Sequence, residues 1–446
     1  MKSWDFLASF FGQYYTFFIA FVAHSAFFTI CVTAAWTSPV LAKLGEMEDN
    51  PLGRPLTPEE SDLIGSIYFI GASIGPLLCI FSVERFGRKK MLALLSAITP
   101  ISYIILTFAE NVELYYLARV LLGLYAGAAL SIEPVYVSEI AGPQEREFLM
   151  SCVSVFNFGG ILASYAVGPF IPLFYFNSLI AVFSLTFVIL LALGCPESPY
   201  YVMQTKGKDE TRVLLKKLRR GDVEGELQAI EKTVGNQSRS SYFEIFKSTK
   251  NFKPFVLATI PLVLQQYCGI TLIVTYSQLI FLQTEISIPS HICSIIVVCL
   301  QISTSFLTPT LLKSQKFTQK SLLYLCFTGL GLCNLVLGFF FLYGKDVASL
   351  NFLPLVGLIV FVVFYNCGID PIPWITLGQV YPMNINTVGT ALSTSIFFIS
   401  IFPVLYMFYK VDLSYLFLSS AFSCLLGLLY AKFIFTENFH KKEESA

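Results

Sequence analysis

Four ionisable side chains fall inside long apolar stretches of this sequence: His24, Arg119, Glu133 and Asp370. A charge at the middle of a bilayer costs about 2.5–3.5 kcal/mol on insertion scales, so each needs a partner, a water-filled cleft or a function. Arg119 is expected to hold a structural partner on a neighbouring helix, and Glu133 a hydrogen bond to one. A carboxylate or imidazole facing an aqueous pathway can load and release protons, which makes Asp370 and Glu133 the candidates for proton coupling. A second cluster sits at segment ends: SVERFGRKK carries Glu84, Arg85 and Arg88, and YVSEIAGPQER carries Glu139 and Arg146. A tight Gly-containing turn rich in Arg binds carboxylates and the carbonyl ends of adjacent helices. These five residues are therefore expected to latch one side of a helical assembly shut. No Walker loop, nucleophile elbow, HExxH or metal-ligand cluster is present, so neither an enzyme nor a metal or cofactor is expected.

The elements that must position these groups follow from composition. Of 446 residues, 55% are hydrophobic and 13% charged, against about 25% charged in an ordinary soluble domain. With 43 Phe and 23 Tyr, apolar side chains exceed what one aqueous core could hide, so lipid must solvate many of them. The formal charge is zero, which gives no footing for nucleic acid. The 11 Cys lie in or beside apolar segments without metal or disulfide spacing and read as small packing residues. No small-residue cleavage site follows the first residues, so the first apolar segment is expected to stay as a span.

Windows of about 20 apolar residues fall near 14–38, 61–82, 90–109, 113–136, 148–171 and 176–195, then 253–282, 287–312, 319–343, 350–378, 385–409 and 412–435. The expected fold is all-α, twelve transmembrane helices in two six-helix bundles, 1–195 and 253–435. A central loop over 196–252 and a tail over 436–446 complete the chain. Of the 29 Lys and Arg, 24 fall on the side of the termini and central loop, four on the other, and Arg119 in a span. Positive charge collects on the cytosolic side, so both termini are expected there. Val213, Leu214 and Leu218, then Leu227, Ile230 and Val234, recur at helical spacing in the central loop and predict short amphipathic helices. The sequon at Asn236 lies in the same loop, out of reach of glycosylation. Gly71 with Gly75, and Gly123 with Gly127, have the four-residue spacing that lets helix backbones approach closely.

The two halves echo each other. KSQKFTQKS after the eighth span stands where SVERFGRKK stands after the second, and LGQVYPMNIN after the tenth where YVSEIAGPQER ends the fourth. Internal duplication of this kind marks membrane transporters, with the ligand held between the halves. The second copy has lost its acids and arginines, keeping Lys316, Lys320, Gln379 and Asn386, so its latch is expected to be weaker.

Seven segments in order, TAAWTSPVLAKL (33–44), SVERFGRKK (82–90), YLARVLLGLYAG (116–127), YVSEIAGPQER (136–146), CPESP (195–199), QQYCGI (265–270) and DPIPW (370–374), make the chain similar to the sugar porters of the major facilitator superfamily. The resemblance covers nearly the whole chain and is closest to the insect facilitated trehalose transporter branch. It implies that Gln265 and Gln266 hydrogen-bond sugar hydroxyls, an amide offering both donors and an acceptor. It also implies that Trp374 forms an aromatic platform, and that Pro371 and Pro373 let the tenth span bend. By the same alignment Ser154, Thr271, Ser303 and Asn366 take positions that line the sugar site, the first three in place of longer amides. Phe397 and Phe398 replace a polar pair, so a less polar cavity than a glucose site is expected. Asp370 replaces the Gly opening the span-ten motif, Tyr200 replaces an Arg, and TENFH (436–440) stands in place of the closing motif.

The resemblance thus implies facilitative transport of a hexose or trehalose-like disaccharide, a uniporter, with a small-molecule sugar and the lipid bilayer as partners. A monomer in the plasma membrane is expected. The alternatives are a sugar sensor without appreciable flux, a proton-coupled porter, and a carrier of a less polar solute such as a polyol.

Overall fold

The computed structural model describes residues 10–47, 50–219, 222–235, 249–284, 288–304, 307, 310–311, 316–345, 347–381 and 385–435. The sequon at Asn236 and the tail over 436–446 lie outside them. The first half holds α1 (Tyr15–Leu44), α2 (Pro58–Phe86), α3 (Arg88–Thr107), α4 (Val112–Ile140), α5 (Arg146–Val167) and α6 (Leu173–Gly194). The second holds α7 (Phe252–Leu282), α8 (Ser290–Thr304), α9 (Gln319–Gly344), α10 (Leu353–Val380), α11 (Thr387–Tyr406) and α12 (Leu413–Phe433). Eleven are long and apolar enough to cross a bilayer, and α8 is a shorter apolar helix. The protein is an all-α membrane protein with twelve transmembrane helices in two bundles of six.

Polar residues mark where these helices begin. Thr57 and Glu60 form a capping box at the start of α2, and Thr318 with Ser321 does the same for α9. Asn111 caps α4 and Asp412 caps α12 through backbone N–H groups. Gly87 ends α2 at φ 93°, a left-handed conformation that favours glycine. In the central loop, helices run over Pro199–Lys206, Lys208–Leu218 and Glu224–Gly235. Leu214, Leu218, Leu227 and Ile230 face inward as their spacing predicts, while Val213 is 53% exposed and Leu215 takes the buried position beside Leu214.

Lipid-facing and core-facing surfaces separate clearly on α6, where Phe174, Leu179, Val182, Ile189 and Leu193 are exposed and Phe176, Ile180, Phe187 and Leu191 are buried. The tightest helix pair is α2 with α4. A Cβ on Gly123 would lie 1.9 Å from the Tyr68 carbonyl oxygen, and one on Gly127 1.9 Å from that of Ala72. On the facing helix, a Cβ on Gly71 would lie 2.1 Å from the Val120 carbonyl oxygen. The glycine spacing is thus backbone-to-backbone packing. Between halves, α2 runs against α11 and α5 against α8. Shifting the numbering by six helices exchanges these two pairings, as expected if the halves are copies of one unit.

Candidate functional site

The site is built where two helices lose regularity. In α7 the run Gln266–Ile270 is a π-helical turn with Gly269 at φ 103°, and in α10 the run Tyr365–Ile369 is another. Single π turns inside α-helices recur at functional sites because they free carbonyls and re-aim side chains. The freed Cys268 carbonyl accepts from the Asn334 side-chain amide of α9 at 3.0 Å. Asn366 is anchored to α8, donating to the Gln301 carbonyl at 3.0 Å and to the Thr304 hydroxyl at 2.7 Å.

The two turns bring the expected glutamines into one polar group. Gln265, 2% exposed, donates from Nε2 to the Tyr365 hydroxyl at 2.8 Å and to the Asp370 backbone carbonyl at 3.3 Å. Its Oε1 is buried and has no hydrogen-bond partner among the described residues. Gln266 accepts through Oε1 from the Thr271 hydroxyl. The Tyr365 hydroxyl also faces the Asp370 carboxylate, and that carboxylate lies within electrostatic reach of Cys31 on α1, across the seam between the halves. Trp374 is half-buried with its edge against Phe397, centroids 5.1 Å apart. Gln265 and Asp370 are thus joined through Tyr365, while Gln266 with Thr271, Asn366 with α8, and Trp374 with Phe397 form separate contacts in the second half.

Ser303 does not join them. It is exposed, and its hydroxyl turns back onto the Cys299 carbonyl at 2.9 Å. The inward positions of α8 are Gln301 and Thr304, two residues before and one after, because a helix face recurs every three to four residues. Ser154 is half-buried on α5. The polar side chain nearer α1 is Asn157, whose Oδ1 lies 3.5 Å from the Cys31 thiol. Tyr365, Gln301, Thr304 and Asn157 are the residues that sequence reasoning missed. Tyr365 had a usable signal, since it adjoins Asn366 in a polar interruption of an otherwise apolar span.

The charge cluster is only partly assembled. Arg88 meets Glu139 at 3.1 and 3.2 Å, and the Ser198 hydroxyl donates to the same carboxylate. Glu197, from the CPESP motif, accepts from the backbone N–H of Lys89 at 2.9 Å and of Lys90 at 3.3 Å, at the amino end of α3. Glu84 and Arg85 are exposed and form no ion pair among the described residues, and the Arg146 Nε is buried without an acceptor. Among the described residues the cluster thus ties the first half to its own loop helices, through Arg88, Glu139, Glu197 and Ser198. In the second half, Lys320 donates to the Lys432 carbonyl near the end of α12 at 3.4 Å. Glu139→Ala would leave the Arg88 side chain, 10% exposed, without its counter-charge. Removing one partner of a buried pair costs about 3–5 kcal/mol, so the midpoint of thermal unfolding in detergent is expected to fall by several degrees, with Glu139→Gln losing less.

The remaining buried charges have identified partners. Arg119, fully buried, donates to the Ile64 carbonyl at 3.0 Å and the Thr33 carbonyl at 2.8 Å, and lies 4.5 Å from the centre of the Tyr68 ring. It joins α4 to α1 and α2 through carbonyls, with no carboxylate partner among the described residues. His24 meets Glu133 at 2.6 Å, both 1% exposed, and its other ring nitrogen lies 2.9 Å from the Leu149 carbonyl. Glu133 thus has the neighbouring-helix partner expected of it.

The hydrogen bonds that join the halves gather at the face opposite the central loop. The Gln278 N–H of α7 donates to the Ser38 hydroxyl of α1 at 3.1 Å. The Tyr165 hydroxyl of α5 donates to the Val274 carbonyl of α7. Tyr276 of α7 packs against Gly65 of α2, where an added Cβ would lie 2.3 Å from its hydroxyl. The seam is packed shut at this face.

Comparison with known proteins agrees with this architecture. Residues 6–445 match the family model described as "Sugar (and other) transporter". The facilitated trehalose transporter Tret1 of Polypedilum vanderplanki is 27% identical over 371 residues, 81% of this chain and 72% of that protein. That of Anopheles gambiae is 28% identical over 412 residues, 89% of this chain and 51% of that protein, so the chain spans about half the length of this longer relative. Among solved structures, the inward-open conformation of the xylose transporter XylE from E. coli superposes with a TM-score of 0.78 at 20% identity, covering 96% of this chain and 98% of that one. A peptide transporter crystal structure shares the fold at a TM-score of 0.64 and 15% identity. With twelve spans in two bundles and the family model matched over residues 6–445, this chain belongs to the sugar (and other) transporter family and is a membrane transporter, not an enzyme.

Proposed function

We propose that this protein carries a hexose or a trehalose-like disaccharide down its gradient, by exposing one central site alternately to each side of the membrane as residues 1–195 and 253–435 rock against each other. The observation that carries this reading is the Gln265 amide, held by Tyr365 and the Asp370 carbonyl while its own oxygen stays buried and unmatched. A buried acceptor without a donor is costly, and a hydroxyl-bearing ligand supplies the donor. Trehalose is favoured because two of the relatives described above carry it in their names. The termini and central loop are placed in the cytosol, the membrane is taken as the plasma membrane, and the working unit is a monomer. On that placement the structure is closed to the outside.

A second reading, proton-coupled uptake, rests on Asp370, a carboxylate at the hinge of α10 facing the hydroxyl that holds Gln265. The two separate in proteoliposomes loaded with buffer at equal or different pH. Passive carriage gives saturable sugar uptake that levels off at equal concentrations inside and out, whatever the gradient. Gradient-driven accumulation that is lost in Asp370→Asn would establish coupling instead.

A further inference from the structure

Asp62 is fully buried, five residues beyond the cap of α2, at the face where the halves are packed shut. Its carboxylate crosses the seam and accepts the Tyr409 backbone N–H, which lies 3.1 Å from Oδ1 and 3.3 Å from Oδ2 in the turn after α11. Aromatic groups close the contact. Tyr276 of α7 stacks on Phe408 with ring centres 4.0 Å apart, and its hydroxyl donates to the Leu405 carbonyl at 3.2 Å. The titratable and charged groups facing Asp62 are Glu59 on its own helix, Tyr276 on α7, and Tyr409 and Lys410 after α11. Among the described residues no cation pairs with it. The Lys410 ammonium rests 3.7 Å from the centre of the Tyr406 ring.

An ionised carboxylate has room for about four hydrogen bonds, and among the described residues this one receives a single N–H while buried. Burying such a charge is unfavourable unless it is fully hydrogen-bonded or paired. When the seam parts, water can fill every vacant position. The ionised form therefore gains by opening, whereas a neutral group in the same place keeps the Tyr409 bond through its C=O and gains little. Charge on Asp62 tilts the balance towards the open seam, and proton binding tilts it towards closure.

We propose that Asp62 is the positioning residue that reopens the outer seam: its ionised carboxylate destabilises the externally closed state, and neutralising it makes that state persist. The proposal rests on the alternating-access reading and assigns the return step of the cycle to a residue outside the sugar site.

The test measures the seam directly. Nitroxide labels on unnatural amino acids at Glu46 and Ser349, exposed after α1 and before α10 on the same face, report the distance between halves by pulsed electron resonance in liposomes without sugar. In the wild type, lowering the external pH is expected to shift population from the long to the short distance. Asp62→Asn, nearly isosteric, is expected to raise the short-distance fraction several-fold at neutral pH and to abolish the pH response, while Asp62→Glu retains it. His291, packed against Phe170, is present in every variant. A pH response that survives Asp62→Asn would therefore belong elsewhere and overturn the proposal. An unchanged distribution, or a shift to the long distance that would make Asp62 a clamp, would overturn it too. Because no sugar is present, failure to transport any sugar leaves these distances standing. Normal sugar uptake with unmoved distances would reject the role of Asp62 alone.

Discussion

Sugar uptake in proteoliposomes is expected to fall on the order of 10²-fold in kcat/KM when Gln265 and Gln266 are both replaced by Ala, with the protein still folded. Each lost bond to a buried polar partner is worth about 1–3 kcal/mol, and 1.4 kcal/mol is about tenfold. The two amides are not equivalent. Gln265 is pinned from two directions with its oxygen unmatched, so Gln265→Ala alone is expected to account for most of the loss. Gln266 is satisfied by Thr271 and must give up that bond to meet a ligand, so its replacement costs less. Comparing the two single variants by initial uptake rate checks the order. Equal, small effects would remove the pair from the site.

The largest effect on folding is expected at the α2–α4 crossing. Gly127→Val places a branched side chain where its Cβ alone would lie 1.9 Å from the Ala72 carbonyl oxygen and 2.8 Å from the Ala72 carbonyl carbon. The obstacle is backbone, which cannot turn aside as a side chain end would. The helices must separate along their contact and lose dispersion on both faces. Membrane proteins of this kind associate through such packing and not through a hydrophobic drive. The expected outcome is loss of the monodisperse peak on size-exclusion chromatography in detergent. Gly225→Ala, where a Cβ meets nothing within 4 Å, is expected to leave the peak unchanged.

The spans were legible because a bilayer forces long apolar runs, and the glycine contacts because a four-residue spacing has one geometric meaning. The resemblance named Gln265 and Gln266, and the structure places both amides in buried positions. Tyr365 is brought to Gln265 by a π turn, and no periodicity shows where a helix will add a residue to one turn. Ser303 was chosen by alignment, but its hydroxyl turns back onto the Cys299 carbonyl, and the contacts that α8 makes with Asn366 of α10 come from Gln301 and Thr304. The Arg-rich turn was read as a five-residue latch, and charge type does not show which carboxylate is near. Glu139 lies in the first half and Glu197 and Ser198 at the start of the central loop, and they take up Arg88 and the start of α3. Asp62 stands at the start of the second apolar window, and only its neighbour 347 positions away reveals it as a seam contact.

Counterflow tests the central claim most directly. Proteoliposomes preloaded with unlabelled trehalose or glucose are diluted into a trace of the labelled sugar. One site that alternates between sides must return carrying internal sugar outwards and labelled sugar inwards. The label is then expected to overshoot its external concentration transiently, and the overshoot to vanish in the Gln265→Ala, Gln266→Ala variant. A wild-type protein that binds the sugars yet shows no overshoot with either would contradict alternating carriage by this seam site.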